Sequence, residues 1–133
     1  MLGRLNHVAI AVADLKSATN TYRDILGAKV GKPLDQPEHG VTVVFIELPN
    51  TKVELITPLG ENSPIFNFLN KNKNGGIHHI CYEVKNLELS INILMKNNYK
   101  IIGDNPKIGA HGKPVIFLHP SGFDGTLIEL QEE

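Results

Sequence analysis

The chain has 133 residues, 41% hydrophobic and 20% charged, with a formal net charge of −1, which suits one domain, or two small modules sharing a core, and gives no electrostatic case for a nucleic-acid or membrane partner. The single cysteine, Cys81, excludes an internal disulfide and fits a reducing compartment. No apolar run approaches the roughly 18 residues of a membrane span and no leader pattern opens the chain, so a cytoplasmic protein is expected.

Leu5 to Val12 alternates and is rich in β-branched residues, which predicts a strand. Alternation sends Val8, Ile10 and Val12 to one face and His7, Ala9 and Ala11 to the other. Asp14 is an N-cap for a helix through about Leu26, with Leu15, Ala18, Tyr22, Ile25 and Leu26 along one side and Gly27 after its end. Lys29-Val30 opens a second strand, which the loop from Gly31 to Gly40 ends. Val41 to Leu48 and Thr51 to Ile56 are two further strands around a Pro49-Asn50 turn. This is one β-α-β-β-β module, at about 4–57.

Residues 58–74 read as a linker carrying one short helix, capped by Ser63 with Pro64 at its first position. Gly75-Gly76 then opens a second module over 75–133. A strand over 77–84 sends His79, Cys81 and Glu83 to one face and His78, Ile80 and Tyr82 to the other. Asn86 caps a helix holding Leu87, Ile91, Leu94 and Met95. Tyr99 to Ile102 is a short strand, Gly103 to Pro114 a loop, Val115 to His119 a strand, Pro120 to Gly125 a turn, and Thr126 to Gln131 the last strand.

The two modules are copies. His79 superposes on His7 (79 − 7 = 72), and Val84 then falls on Val12 and Leu87 on Leu15. Each copy ends in a strand with a central carboxylate, Glu54 between Val53 and Leu55 and Glu129 between Ile128 and Leu130. These differ by 129 − 54 = 75, a shift that a three-residue difference in loop length explains. Both carboxylates should face away from the helices, on the side of His7 and His79. A lone buried carboxylate there would cost several kcal/mol in desolvation unless paired or metal-bound. Any one such residue is unremarkable; four at repeat-equivalent positions point to one divalent-metal site. Two imidazoles and two carboxylates suit Co²⁺, Mn²⁺, Ni²⁺, Zn²⁺ or Fe²⁺ with positions left for substrate oxygens. Cys81 reads as a small buried neighbour rather than a nucleophile. His39, His111 and His119 sit in or beside loops, and His111, flanked by Lys107 and Lys113, could meet an anionic substrate.

The duplicated module with these ligands resembles the vicinal oxygen chelate superfamily, which includes glyoxalase I, extradiol dioxygenases and antibiotic-resistance proteins. Within it, similarity to the methylmalonyl-CoA epimerase family covers almost the whole chain. It is carried by Asn6 to Val12, Pro37 to Val41, Asn50 to Leu55, Thr57 to Gly60, Gly75 to Ile80 and Lys107-Ile108-Gly109-Ala110-His111-Gly112-Lys113-Pro114. The resemblance implies an α+β fold of two tandem βαβββ modules forming a curved mixed sheet around a metal site. It implies His7, His79 and Glu129 as ligands, with Glu54 at a fourth position that is Gln in some relatives. The ion expected first is Co²⁺, with Mn²⁺, Ni²⁺ and Zn²⁺ as alternatives, and the assembly expected is a homodimer. The implied reaction is epimerisation of a CoA thioester at C2 through a metal-stabilised enediolate, with Glu129 and Glu54 as acid and base and Lys107, His111 and Lys113 on the substrate. Some relatives carry another carboxylate on the third strand of the first module; Val41 to Val44 has none. A lactoylglutathione lyase of the glyoxalase I type and a metal-free drug-binding protein are the alternative readings.

Overall fold

The computed structural model describes all residues from Met1 to Glu133. Two compact units divide the chain, one of residues 7–78 and the other of residues 79–133 together with residues 1–6.

The unit of residues 7–78 contains β1 (Leu2–Ala11) from His7 onward, α1 (Leu15–Asn20), β2 (Lys29–Val30), β3 (Leu34–Gln36), β4 (Val41–Glu47), β5 (Lys52–Pro58) and α2 (Ile65–Lys71). Its strands run in the order β2-β4-β5-β1, with β3 also on β4. The β1–β5 pair is parallel and the others are antiparallel. Asp14 caps α1 by accepting from the Ser17 amide at 2.9 Å. Leu15, Ala18 and Tyr22 then pack with Ile10 and Val12 on Val44, Ile46 and Leu55, burial that drives the helix onto the sheet.

Ile25 and Leu26, expected on that same stripe, are 78% and 64% exposed. The last turn, Thr21–Ile25, is a π-turn, with the Leu26 amide reaching back to the Thr21 carbonyl. The wider turn shifts the phase of later side chains and swings these two off the buried stripe. Gly27 follows at φ 66°. In α2, the Ser63 hydroxyl accepts from the Ile65 amide at 3.3 Å, and Ile65 is buried. The short strand β3 lies inside the stretch expected to be loop, where Lys32-Pro33 and Pro37 hide a three-residue pairing. Gly75 is obligatory: it has φ +82°, and a Cβ there would collide with the Ala11 carbonyl oxygen.

The second unit contains β6 (Gly76–Val84) from His79 onward, α3 (Leu87–Lys96), β7 (Ile101–Ile108), β8 (Pro114–Leu118) and β9 (Ile128–Glu132). Its order is β6-β9-β8-β7. Here too the pair joining the first and last strands is parallel and the rest antiparallel. Asn86 caps α3 by accepting from the Leu89 amide at 2.8 Å. Leu87, Leu94 and Ile91 pack on Val84, Ile116, Leu118, Ile128 and Leu130, while Met95 is 61% exposed. The N-terminal residues attach through Asn6, whose amide donates to Glu83 at 2.9 Å. Arg4 lies 3.4 Å from the same carboxylate.

One expectation is corrected in this unit. The strand near Tyr99 starts at Ile101 and continues to Ile108, so the connection to β8 is only residues 109–113. Gly103-Asp104-Asn105-Pro106 looks like a break in sequence, and it does interrupt the pairing: the register shifts between Ile102 and Lys107 before pairing resumes. A bulge absorbs the breakers without ending the strand. Both halves thus hold the βαβββ order of an α+β fold, with β3 added in the first.

Candidate metal and acid–base site

The parallel pairing in each unit sets a histidine beside a carboxylate. In β1 and β5, Ala9 is opposite Glu54, so His7 lies two residues back on the same face. Its Nε2 is 3.1 Å from Glu54 Oε2. In β6 and β9, Cys81 is opposite Glu129, and His79 Nε2 is 3.0 Å from Glu129 Oε2. The residue directly opposite each carboxylate is small, Ala9 or Cys81, and fully buried.

All four side chains are buried, His7 at 2%, His79 at 5%, and Glu54 and Glu129 at 6% exposure. Buried carboxylates facing imidazole nitrogens suit two occupants, a proton or a cation. Two ligand atoms each about 2.1 Å from an ion and at right angles to it stand about 3 Å apart. The pairs at 3.0 and 3.1 Å therefore have the spacing of adjacent ligands as well as that of a hydrogen bond. Each pair offers an imidazole nitrogen and a carboxylate oxygen, donors that suit a borderline divalent ion.

The expected substrate-binding residues lie on β7 and the short connection after it. Lys107 is exposed and pairs across to Val115. His111 Nδ1 is 3.4 Å from Gln131 Oε1, and the Lys113 ammonium donates to the Glu133 carbonyl at 3.1 Å. The connection is pinned internally by Gly109 N–H to the Lys113 carbonyl at 2.9 Å. These contacts hold it against β9, so that Gly109 lies beside Glu129. A Cβ at Gly109 would come within 3.7 Å of Glu129 Oε1 and 2.8 Å of Val115 Cγ1. Gly109→Ala should therefore destabilise the fold by about 1–3 kcal/mol, the scale of an overpacked core. The denaturant midpoint of the variant would show it, and Val115→Ala in the same chain should recover most of the loss. His39 lies in the turn Pro37–His39, and His119 accepts from the Ser121 amide at the turn before β9. His78 faces away from His79, with its ring edge-on to Phe68 at 5.1 Å.

Two aromatic residues at this face were missed by sequence reasoning. Phe45 is directly opposite Glu54 in β4–β5, and Phe117 is directly opposite Glu129 in β8–β9. The signal was present: 117 − 45 = 72, the spacing of the two histidines. It also locates the three extra residues of the second copy between Phe117 and Glu129, in the turn containing Pro120–Gly122, where the first copy has only the tight Pro49-Asn50 turn.

Known proteins agree with this architecture. The profile of the Glyoxalase/Bleomycin resistance protein/Dioxygenase superfamily matches residues 6–117. The chain is 60% identical over 133 residues to the ethylmalonyl-CoA/methylmalonyl-CoA epimerase of Cereibacter sphaeroides, covering 99% of each. It is 56% identical over 131 residues to the mitochondrial methylmalonyl-CoA epimerase of Homo sapiens, covering 98% of this chain and 74% of that one. A solved methylmalonyl-CoA epimerase in complex with methylmalonyl-CoA and NH4+ superposes with a TM-score of 0.92 at 27% identity, covering 100% of this chain and 96% of the other. With a buried histidine–carboxylate pair in each copy of the repeat and identity of this extent, the chain belongs to the methylmalonyl-CoA epimerase family within the Glyoxalase/Bleomycin resistance protein/Dioxygenase superfamily.

Proposed function

We propose that this protein interconverts the (R) and (S) forms of methylmalonyl-CoA by moving the proton at C2. The observation that carries the reading is the duplicated pair, His7 with Glu54 and His79 with Glu129, each buried and at hydrogen-bond distance. In this reading the four side chains hold one divalent ion, Co²⁺ first among the candidates. When bound, that ion supplies Lewis-acid stabilisation of the negative charge developing on the thioester oxygen, worth several kcal/mol.

The rest is work for the protein's own groups. Glu129 Oε2 is 3.0 Å from His79 Nε2, while Oε1 is on the side of Gly109. In this reading Oε1 takes the C2 proton, with Glu54 returning a proton to the opposite face. Burial keeps bulk water from quenching the carbanion before reprotonation. Lys107, His111 and Lys113 supply cationic or hydrogen-bonding groups near the β7–β8 connection for the anionic parts of a CoA thioester. A buried, unbridged Cys81 supports a reducing cytoplasm, and the working form in this proposal is a homodimer. No helix is long and apolar enough to cross a membrane.

The deciding assay offers the purified protein (R)-methylmalonyl-CoA or, separately, methylglyoxal with glutathione. Epimerisation of the first, loss of that activity on chelation and recovery with Co²⁺ are expected, at about one ion per chain. Turnover of the hemithioacetal instead would move the assignment to a lactoylglutathione lyase. A metal-free chain that stays fully active would remove the ion from the reading.

A further inference from the structure

We infer that Phe45 and Phe117 are a duplicated pair of positioning residues, each holding the histidine–carboxylate pair of its own unit dry and correctly oriented. This rests on the function proposed above and adds residues to that site.

The placement is the first support. In each unit the phenylalanine is the direct antiparallel neighbour of the site carboxylate, Phe45 of Glu54 and Phe117 of Glu129. Directly opposite residues share a face with their Cβ atoms about 5 Å apart. Each ring thus covers the flank of the carboxylate away from the parallel partner strand. The immediate neighbours in sequence, Val44 and Ile46, Ile116 and Leu118, belong to the helix-side cores. Phe45 and Phe117 alternate to the opposite side of the sheet. Both are partly exposed, although those neighbours are buried.

The ring contact is the second support. Phe117 meets His79 with ring centroids 5.3 Å apart and planes at 89°. This edge-to-face geometry resists rotation of the imidazole. The electropositive rim of a phenyl ring is also a favourable neighbour for a carboxylate, whereas a branched aliphatic chain offers neither effect.

The test compares Phe45→Leu and Phe117→Leu, which keep apolar bulk so that the chain folds, with Phe117→Tyr, which keeps the ring. The control is Phe123→Leu, since Phe123 packs on the helix-side core and on Tyr99. Co²⁺ affinity is measured by titration of chelator-treated protein, alongside the melting temperature of the same metal-free sample. Each site leucine variant should bind Co²⁺ about 10–100-fold more weakly, the scale for groups that orient metal ligands. Phe117→Tyr should stay within a few-fold of wild type. Phe123→Leu should lower the melting temperature without changing affinity. Leucine variants that lose melting temperature but bind Co²⁺ as wild type does would reduce both rings to packing and overturn the inference, leaving the proposed function standing. A wild-type chain that takes up no Co²⁺, Mn²⁺, Ni²⁺ or Zn²⁺ would overturn the metal reading and this inference together.

Discussion

His79→Ala is expected to abolish uptake of a divalent ion and bring turnover to background, a loss larger than the roughly 100-fold that follows removal of a group outside the ligand set. The neighbouring change, His78→Ala, is expected to leave both nearly intact. The contrast follows from strand alternation. His79 Nε2 is 3.0 Å from Glu129 and His79 is only 5% exposed, and its removal also strands a buried carboxylate. His78 faces the other way and rests edge-on against Phe68, so its loss should cost only about 1 kcal/mol of stability. Metal content and thermal denaturation of the two variants, taken side by side, check this. The reverse pattern would mean that the strand is out of register by one residue, which exchanges every side chain between faces.

Glu129→Gln should lower turnover by about 100-fold or more, the usual scale for loss of a general base, while retaining most of the ion. Glutamine keeps the size and one oxygen but cannot take the proton from C2. Glu54→Gln should be milder, because the proposed reaction makes Glu129 the principal base and glutamine keeps an oxygen at position 54. Epimerisation in heavy water gives an independent reading. Deuterium should enter C2 as the wild-type protein turns over, and the Glu129 variant should impair exchange on one face of the substrate more than on the other. A Glu54 variant more damaged than the Glu129 variant would reverse the assignment of principal base. Absence of solvent deuterium at C2 over many turnovers would exclude exchangeable carboxylates as the acid and base.

Much of this protein could be read directly from the chain, because the relevant patterns are local. A strand repeats every two residues, so alternation alone separates His7, Ala9 and Ala11 from Ile10 and Val12. The caps at Asp14 and Asn86 involve amides only three residues away. Duplication is itself a sequence property, and it made two histidines and two glutamates stand out from a composition that is otherwise ordinary. Two kinds of feature were not legible in that way, a change in helical turn and pairings between residues far apart. The π-turn at Thr21–Ile25 exposes Ile25 and Leu26 although their spacing fits the buried stripe. The strand β7 passes through Gly103 and Pro106 because pairing to β8 resumes beyond them, a gain that propensity cannot foresee. Phe45 and Phe117 acquire meaning only when the hairpins place them opposite Glu54 and Glu129. Residue types, faces and the repeat are therefore properties of the sequence. Which oxygen meets which imidazole, and which ring stands beside them, is set by strand register, and register is decided by contacts between residues far apart in the chain.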